Sequence, residues 1–316
     1  MRIGIGFHWE RHEDQEFAGT LEIRNNADGT QTAINTIDLE DYLCSVISSE
    51  MNANSPMELL KAHAVISRSW AIRAMQKPNH EGYDVCADDH CQRYEGLRRM
   101  NERAIEAVNA TRGQVLMFGD EICDCRYYKC CGGRTEIWRT CWEDIDVPYI
   151  QSVQCDYCKS PSPKVLRLIL NDYDQETKDF RSWTVKYTDA ELDAIIAEKS
   201  GIDFGHIIDL IPLHRGASGR IDSLKIVGTQ HTEIIGKELK IRYWLSKSCL
   251  YSSWFEVSHN PSPVTGNPSW TLSGHGWGHG AGLCQIGAAV MASEGHPYEE
   301  ILSYYYVGSR LSTPAQ

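Results

Sequence analysis

An α+β fold is predicted for this 316-residue chain: a single mixed unit with N-terminal strands, a helical segment and a β-rich central part. Three features of the sequence carry that reading. Residues before 37 read as short strands joined by a turn. From Leu39 the apolar residues recur with a helical period. The stretch from about 160 to 246 mixes strand patterns with a capped helix, as a subdomain of the same unit would.

The elements follow in order. "NNADGT" lies between "GTLEIR" and "QTAINTI" and signals a hairpin. Leu39, Tyr42, Leu43, Val46 and Ile47 fall at i, i+3, i+4, i+7 and i+8, an amphipathic helix. In "NANSPMELLKAHAVISRSWAIRAM" Ser55 is expected as N-cap, with Pro56 at N1 and Glu58 closing a capping box, for a helix running to about Met75. A loop with two cysteines follows, then a helix near 100–112 and strands in "GQVLMFGDEICDCRYYK". "TDAELDAIIAEKS" is a helix capped by Thr188 or Asp189 and ended by Gly201. In "GHGWGHGAG" every second residue is glycine, so an extended reading puts His275, Trp277 and His279 on one face and bare backbone on the other. Helices "LCQIGAAVMASEG" and "PYEEILSYYYVG" then stop at Gly295 and Gly308. The expected division is an N-terminal β segment over 1–37 and one domain over 38–312.

Composition narrows the function classes. A formal net charge of -12 argues against a nucleic-acid binder, which would show a basic face. No apolar run approaches the roughly 20 residues that cross a bilayer. The N-terminus lacks the apolar centre and cleavage site of a signal peptide, so the chain is expected to be intracellular or to have had a leader replaced by the initiating Met. Of twelve cysteines, Cys86 and Cys91 form one group and Cys123, Cys125, Cys130, Cys131, Cys141, Cys155 and Cys158 a denser one; Cys44, Cys249 and Cys284 are scattered. The dense group suits disulfides in an oxidising compartment and thiols or a metal in a reducing one.

Four places could carry chemistry. Glu50 continues the apolar stripe of the first helix at its negative end. Burial and helix dipole both disfavour its anion there, as a general acid requires; the alternative is a helix-end Glu bonded to the next helix. His80, Cys86, His90 and Cys91 supply two imidazoles and two thiols within twelve residues, the ligand set of a closed structural Zn²⁺ site; the alternative is a Cys86–Cys91 disulfide with two surface histidines. The glycine ladder suits either a groove for a sugar polymer, with Trp277 stacking and the histidines hydrogen-bonding, or tight packing against another element. In "KCCGGRTE", Cys130 and Cys131 read as a turn disulfide, a reactive thiol with His275 or His279 as base, small cleft residues, or, with Cys155-x-x-Cys158, a second metal site.

Taken together these motifs resemble one family. "LEDYLCSVISSEM" with "SPMELLKAHAVISRSWAIRA" looks like the opening of the SpoIID/LytB domain, which typically reads L-E-x-Y-L-x-x-V-x-x-E-M and then L-K-A-Q-A-x-x-A-R-[ST]-[YW]. "DVCADDHCQRYEG" resembles its cysteine-histidine segment, "CCGGRTE" its S-S-G-G-x-T stretch, and "GHGWGHGAGLCQIGAAVMASEGHPYEEILSYYYVGSRL" its C-terminal signature. The resemblance implies a peptidoglycan-acting protein outside the inner membrane, working on peptide-stripped glycan strands. The sporulation member is a zinc-binding lytic transglycosylase, and LytB-like members enhance a cell-wall amidase. Carried over, the catalytic acid falls on Glu50 and the zinc ligands on His80, Cys86, His90 and Cys91. Gln92, Tyr94, His275, His279 and Gln285 match positions expected to line the substrate groove. This chain departs from the family where Cys130 and Cys131 replace serines, where Tyr128 stands for a frequent His, and in its extra cysteines at 123–158. The expected function is cleavage of MurNAc–GlcNAc bonds to 1,6-anhydro-MurNAc products. The alternatives are a non-catalytic enhancer that binds glycan and stimulates an amidase, and a zinc hydrolase using the 80–91 cluster.

Overall fold

Two antiparallel pairs open the chain: β1 (Arg2–Ile3) with β2 (Arg11–His12), and β3 (Thr20–Asn25) with β4 (Gln31–Thr36), the hairpin signalled by its turn. The structure, a computed structural model, describes residues 2–3, 11–77, 80–87, 90–159, 161–170, 180–260 and 269–313. Residues 4–10 of the expected N-terminal strands and 171–179 of the expected subdomain lie outside the described residues. The architecture is α+β, as the sequence implied; among the described residues the strands form several small sheets and no single large one.

Helix α1 (Leu39–Glu50) starts at Asp38, whose side chain accepts the Glu40 N–H. Leu43, Val46 and Ile47 are fully buried, each contributing about 1.5–3 kcal/mol. The helix is enclosed further round than its apolar stripe: Ser45, Ser48 and Ser49 are buried too, their hydroxyls donating to main-chain carbonyls of Gly96, Cys44 and Ser45. Helix α2 (Met57–Gln76) is likewise central. Its expected capping box does not form. Pro56 occupies the cap position, the Ser55 hydroxyl is drawn to Leu168 O at 3.3 Å, and Glu58 binds Lys61 and the Tyr298 N–H. A tertiary partner outcompetes the local one.

Next come α3 (Glu102–Ala110), β5 (Val115–Phe118), β6 (Glu121–Ile122), β7 (Tyr127–Tyr128), α4 (Trp138–Cys141) and α5 (Pro163–Ile169). A β-rich run follows: β8 (Ser182–Thr188), α6 (Asp189–Ser200), β9 (Ile207–Arg215), β10 (Ile221–Gly228), β11 (Thr232–Ile235), α7 (Glu238–Trp244), β12 (Phe255–Asn260) and β13 (Ser269–His275). Thr188 and Glu191 complete the capping box of α6, and Gly201 ends it in the left-handed region. The chain closes with β14 (Leu283–Cys284), α8 (Gln285–Ser293), α9 (Tyr298–Tyr305) and β15 (Arg310–Ser312).

Buried apolar side chains fall into two clusters. One gathers α1, α2, α3, α8 and α9. The other lies among the sheets β12-β13-β8 and β11-β10-β9 with α6 and α7, drawing on residues from Trp183 to Leu272, well past 246. Two buried charged residues join them. The Glu136 carboxylate accepts the N–H groups of Ala217 and Ser218 and the Ser218 hydroxyl. Arg220, from the same turn, reaches back to the carbonyls of Cys131 and Gly278.

The glycine ladder is not the extended strand its alternation implied. Only Gly274 lies in β13; residues 276, 278, 280 and 282 all have positive φ. The close approach is to the protein's own chain. A Cβ on Gly280 would stand 2.5 Å from Arg220 Cζ, and one on Gly282 would stand 2.1 Å from Arg126 O. The tight-packing alternative therefore accounts for the glycines: they let the Arg220 guanidinium and the 126–131 segment pack against backbone.

Candidate functional site

Glu50 closes α1 and is half-buried, with its carboxylate held from two sides. The Tyr127 hydroxyl donates to Oε1 at 3.0 Å, and the Arg93 main-chain N–H donates to the same oxygen at 3.3 Å. Burial pushes the Glu50 carboxyl above its ordinary value, opposed by the Arg93 charge and N–H, the Tyr127 hydroxyl and Lys129. Tyr127 stays protonated, because burial and the neighbouring carboxylate both push its hydroxyl well up. The other acids of α1 are remote: Glu40 and Asp41 lie at the far end of the helix, roughly 13–15 Å along its axis. Glu40 is locked onto Arg68 in a buried two-point ion pair at 2.8 and 2.7 Å.

Tyr127 is the residue the sequence reading missed, and much of the site is built around it. The imidazole of His63, on α2, stands edge-on to its ring with centroids 4.4 Å apart. His63 occupies the position where the family motif reads Gln. Its Nε2 is 3.2 Å from Gln285 Nε2 and its Nδ1 is 3.2 Å from Ser67 Oγ. With Gln285 donating, the His63 proton sits on Nδ1 and is offered to Ser67. Burial, aided by Lys129, pushes His63 down to about 3, so the ring is neutral. His279 fixes the Tyr127 main chain: its Nε2 is 3.0 Å from Tyr127 O while Nδ1 accepts the Ala281 N–H at 3.1 Å. Burial, then Arg126, Arg242 and Arg220, hold His279 well below its usual range. The 127–128 and 283–284 strands pair in parallel, which brings Gln285 alongside.

The other expected groove residues divide. Gln92 is buried, accepting from Tyr42 Oη at 3.2 Å and donating to Ser67 O at 3.4 Å. Tyr94 is buried too, packed on Tyr42 and Phe17, and donates to Asn35 at 2.6 Å. Gln285 is also buried. Gln92 and Gln285 thus meet the Ser67–His63 pair beside the Tyr127 ring, while His279 holds the Tyr127 carbonyl. His275 is exposed at the end of β13, beside the Trp254 ring at 5.0 Å. Trp277 lies against Phe180 and Tyr251.

The 80–91 cluster does assemble. The donor atoms of His80, Cys86, His90 and Cys91 all lie within 4.8 Å of one another, a set that could hold a metal ion. His80 Nε2 is 3.2 Å from Cys91 Sγ, and His90 Nδ1 is 3.6 and 3.9 Å from Cys91 and Cys86 Sγ. All four residues are at least partly open to solvent, beside the site rather than inside it. Gln92 and Arg93 follow Cys91 directly, so whatever fixes this loop fixes the N–H that meets Glu50. A second donor set brings together Cys131 and Cys155-x-x-Cys158, one of the alternatives the sequence offered, and adds Cys284; all four are buried and lie within the same limit.

Comparison with known proteins bears out the family resemblance. Residues 27–118 match the SpoIID family model, described as Stage II sporulation protein, and residues 136–282 match a domain of unknown function (DUF8618). An uncharacterized protein of Brachyspira hyodysenteriae is 29% identical over 280 residues, covering 88% of this chain and 68% of that protein. Stage II sporulation protein D of Bacillus subtilis is 27% identical, covering 89% of this chain and 76% of its own length. The amidase enhancer of Bacillus subtilis is 24% identical over 86% of this chain but only 40% of that protein. Among the described residues no helix is long and apolar enough to cross a membrane.

Proposed function

We propose that this protein acts on the cell wall, outside the inner membrane, as a peptidoglycan lytic transglycosylase. Glu50 is its catalytic acid and base. The observation that carries this reading is the Glu50 carboxyl itself: half-buried, raised by burial, and oriented by the Tyr127 hydroxyl and the Arg93 N–H. Protonated Glu50 gives its proton to the glycosidic oxygen between MurNAc and GlcNAc. The resulting carboxylate takes the proton of the MurNAc 6-hydroxyl as that oxygen closes on C1, leaving 1,6-anhydro-MurNAc without adding water. One carboxylate in both roles fits a helix whose other acids are distant or already paired, whereas a hydrolase ordinarily needs two at close range. Gln92, Gln285, His279 and His63 serve as positioning residues behind Tyr127, and exposed His275 with Trp254 offers a hydrogen-bonding and stacking surface for sugar.

Zinc suits the 80–91 donor set, two thiolates and two imidazoles in reach of one ion. Four protein ligands leave no open position, so the ion would be structural, holding the loop that presents Arg93. That favours the transglycosylase over a zinc hydrolase. The relative named amidase enhancer supports the second reading, a glycan-binding module that stimulates a cell-wall amidase.

The test is incubation of wild type and Glu50→Gln with peptide-free glycan strands, with products read by mass spectrometry. Anhydro products, one water lighter than hydrolysis products and lost in the variant, are expected. Folded, zinc-loaded wild type that binds glycan without cleaving it would replace this reading with the enhancer.

A further inference from the structure

We infer that the chain carries a second, fully buried metal centre: one tetrahedral zinc ion held by Cys131, Cys155, Cys158 and Cys284. The sequence offered Cys131 with Cys155-x-x-Cys158 as one metal-site alternative but left Cys284 scattered far from them. The fold brings a two-residue knuckle (Cys155-x-x-Cys158), the turn after β7 and the first residue before α8 to one point. All four sulfurs lie within 4.8 Å of one another, and none of the four side chains is more than 1% exposed.

The spacing decides what such a group can hold. A tetrahedral zinc with Zn–S of about 2.3 Å sets its sulfurs about 3.8 Å apart. Sulfurs that ligate separate irons of a cluster stand farther from one another, so one ion fits here and a cubane does not. Cys131 Sγ and Cys158 Sγ stand 3.1 Å apart, well beyond the roughly 2.0 Å of a disulfide, and all four cysteines are free.

Hydrogen-bond donors surround the sulfurs. The N–H of Cys131 points at Cys284 Sγ at 3.3 Å, that of Gly133 at Cys131 Sγ at 3.3 Å, and that of Gly287 at Cys284 Sγ at 3.4 Å. The Tyr305 hydroxyl is 3.3 Å from Cys155 Sγ. Cys284 is also the N-cap of α8, where the free N–H groups favour negative charge. Such donors spread the excess charge of a Zn(S)₄ centre, whose four thiol protons leave to solvent on binding. Gly287 leaves the room: a Cβ there would stand 2.3 Å from Tyr305 Oη and 2.9 Å from Cys155 Sγ.

The position gives the ion a task. Cys131 lies four residues after Tyr127, and Cys284 lies immediately before Gln285. The centre therefore fastens the parallel strand pair that carries Tyr127 and leads directly into Gln285.

The test counts metal on the intact wild-type chain, purified with a thiol reductant and without chelator. Native mass spectrometry and elemental analysis are expected to give two zinc ions per chain. Cobalt substitution is expected to add the intense charge-transfer band of an all-thiolate site. Cys86→Ser with Cys91→Ser should retain one ion and that band; Cys155→Ser with Cys158→Ser should retain one ion and lose it. Cys130→Ser, at an adjacent buried thiol outside the ligand set, should retain both. A single ion in wild type that disappears with Cys86 and Cys91 would overturn the proposal. So would a wild-type mass showing disulfides among these four cysteines, or acid-labile sulfide. The wild-type measurements decide the matter even if the 155/158 variant does not fold.

Discussion

The Tyr127 hydroxyl meets Glu50 Oε1 at 3.0 Å across 77 residues of chain, and that hydrogen bond ties the end of α1 to the β7–β14 strand pair. It favours the carboxylate and so restrains a shift that burial drives upward.

Removing it should raise the Glu50 carboxyl further. For a general acid, activity falls as pH rises through the acid's titration, so Tyr127→Phe should move the alkaline limb of the rate profile to higher pH. Initial rates on glycan strands between pH 4 and 9 would show the move, and an unmoved limb would place Tyr127 outside the control of Glu50.

Glu50→Gln should lower glycan cleavage by at least about 10²-fold while stabilising the fold. A carboxyl raised in the native state binds more protons folded than unfolded, so its ionisation costs stability as pH climbs above the ordinary 4.5. The gain in Tm of the variant should therefore grow from pH 4 to pH 7. Equal Tm values throughout would mean the carboxyl is not raised.

His63 gives the opposite slope. Its folded value near 3 lies below the ordinary 6.5, so the unfolded chain takes up a proton that the native state refuses. Stability should fall by as much as about 1.4 kcal/mol per pH unit as pH drops through that window. In His63→Gln this contribution is absent, and urea midpoints at pH 7 and pH 4.5 should differ less than in wild type.

Cys91→Ser, which leaves the buried four-cysteine set intact, should lower Tm and glycan cleavage together if the 80–91 ion is structural. Loss of activity at unchanged Tm would instead favour a catalytic metal.

Gly280→Ala combines a positive φ of 90° with a 2.5 Å approach to Arg220. A cost of about 2–4 kcal/mol is expected, read as a lower denaturant midpoint. A near-neutral result would show that the backbone leaves positive φ and Arg220 gives way at little cost.

Local pattern was legible in the sequence. The period from Leu39 to Ile47 marks α1 and sets Glu50 at its end, and Thr188 with Gly201 brackets α6, because caps and helical faces are decided within a few residues. The four donors of the 80–91 cluster were also visible, since twelve residues of chain need little closure to meet at a point. The sequence alone thus determined the fold class, the first helices, the carboxyl and one donor set. Only the tertiary structure decided that Tyr127 meets Glu50, that Cys284 joins Cys131 across 153 residues, and that the glycine ladder turns through positive φ around Arg220. The physical reason is range: spacing encodes which face a side chain takes on its own element, while a partner far along the chain is chosen by how whole elements pack.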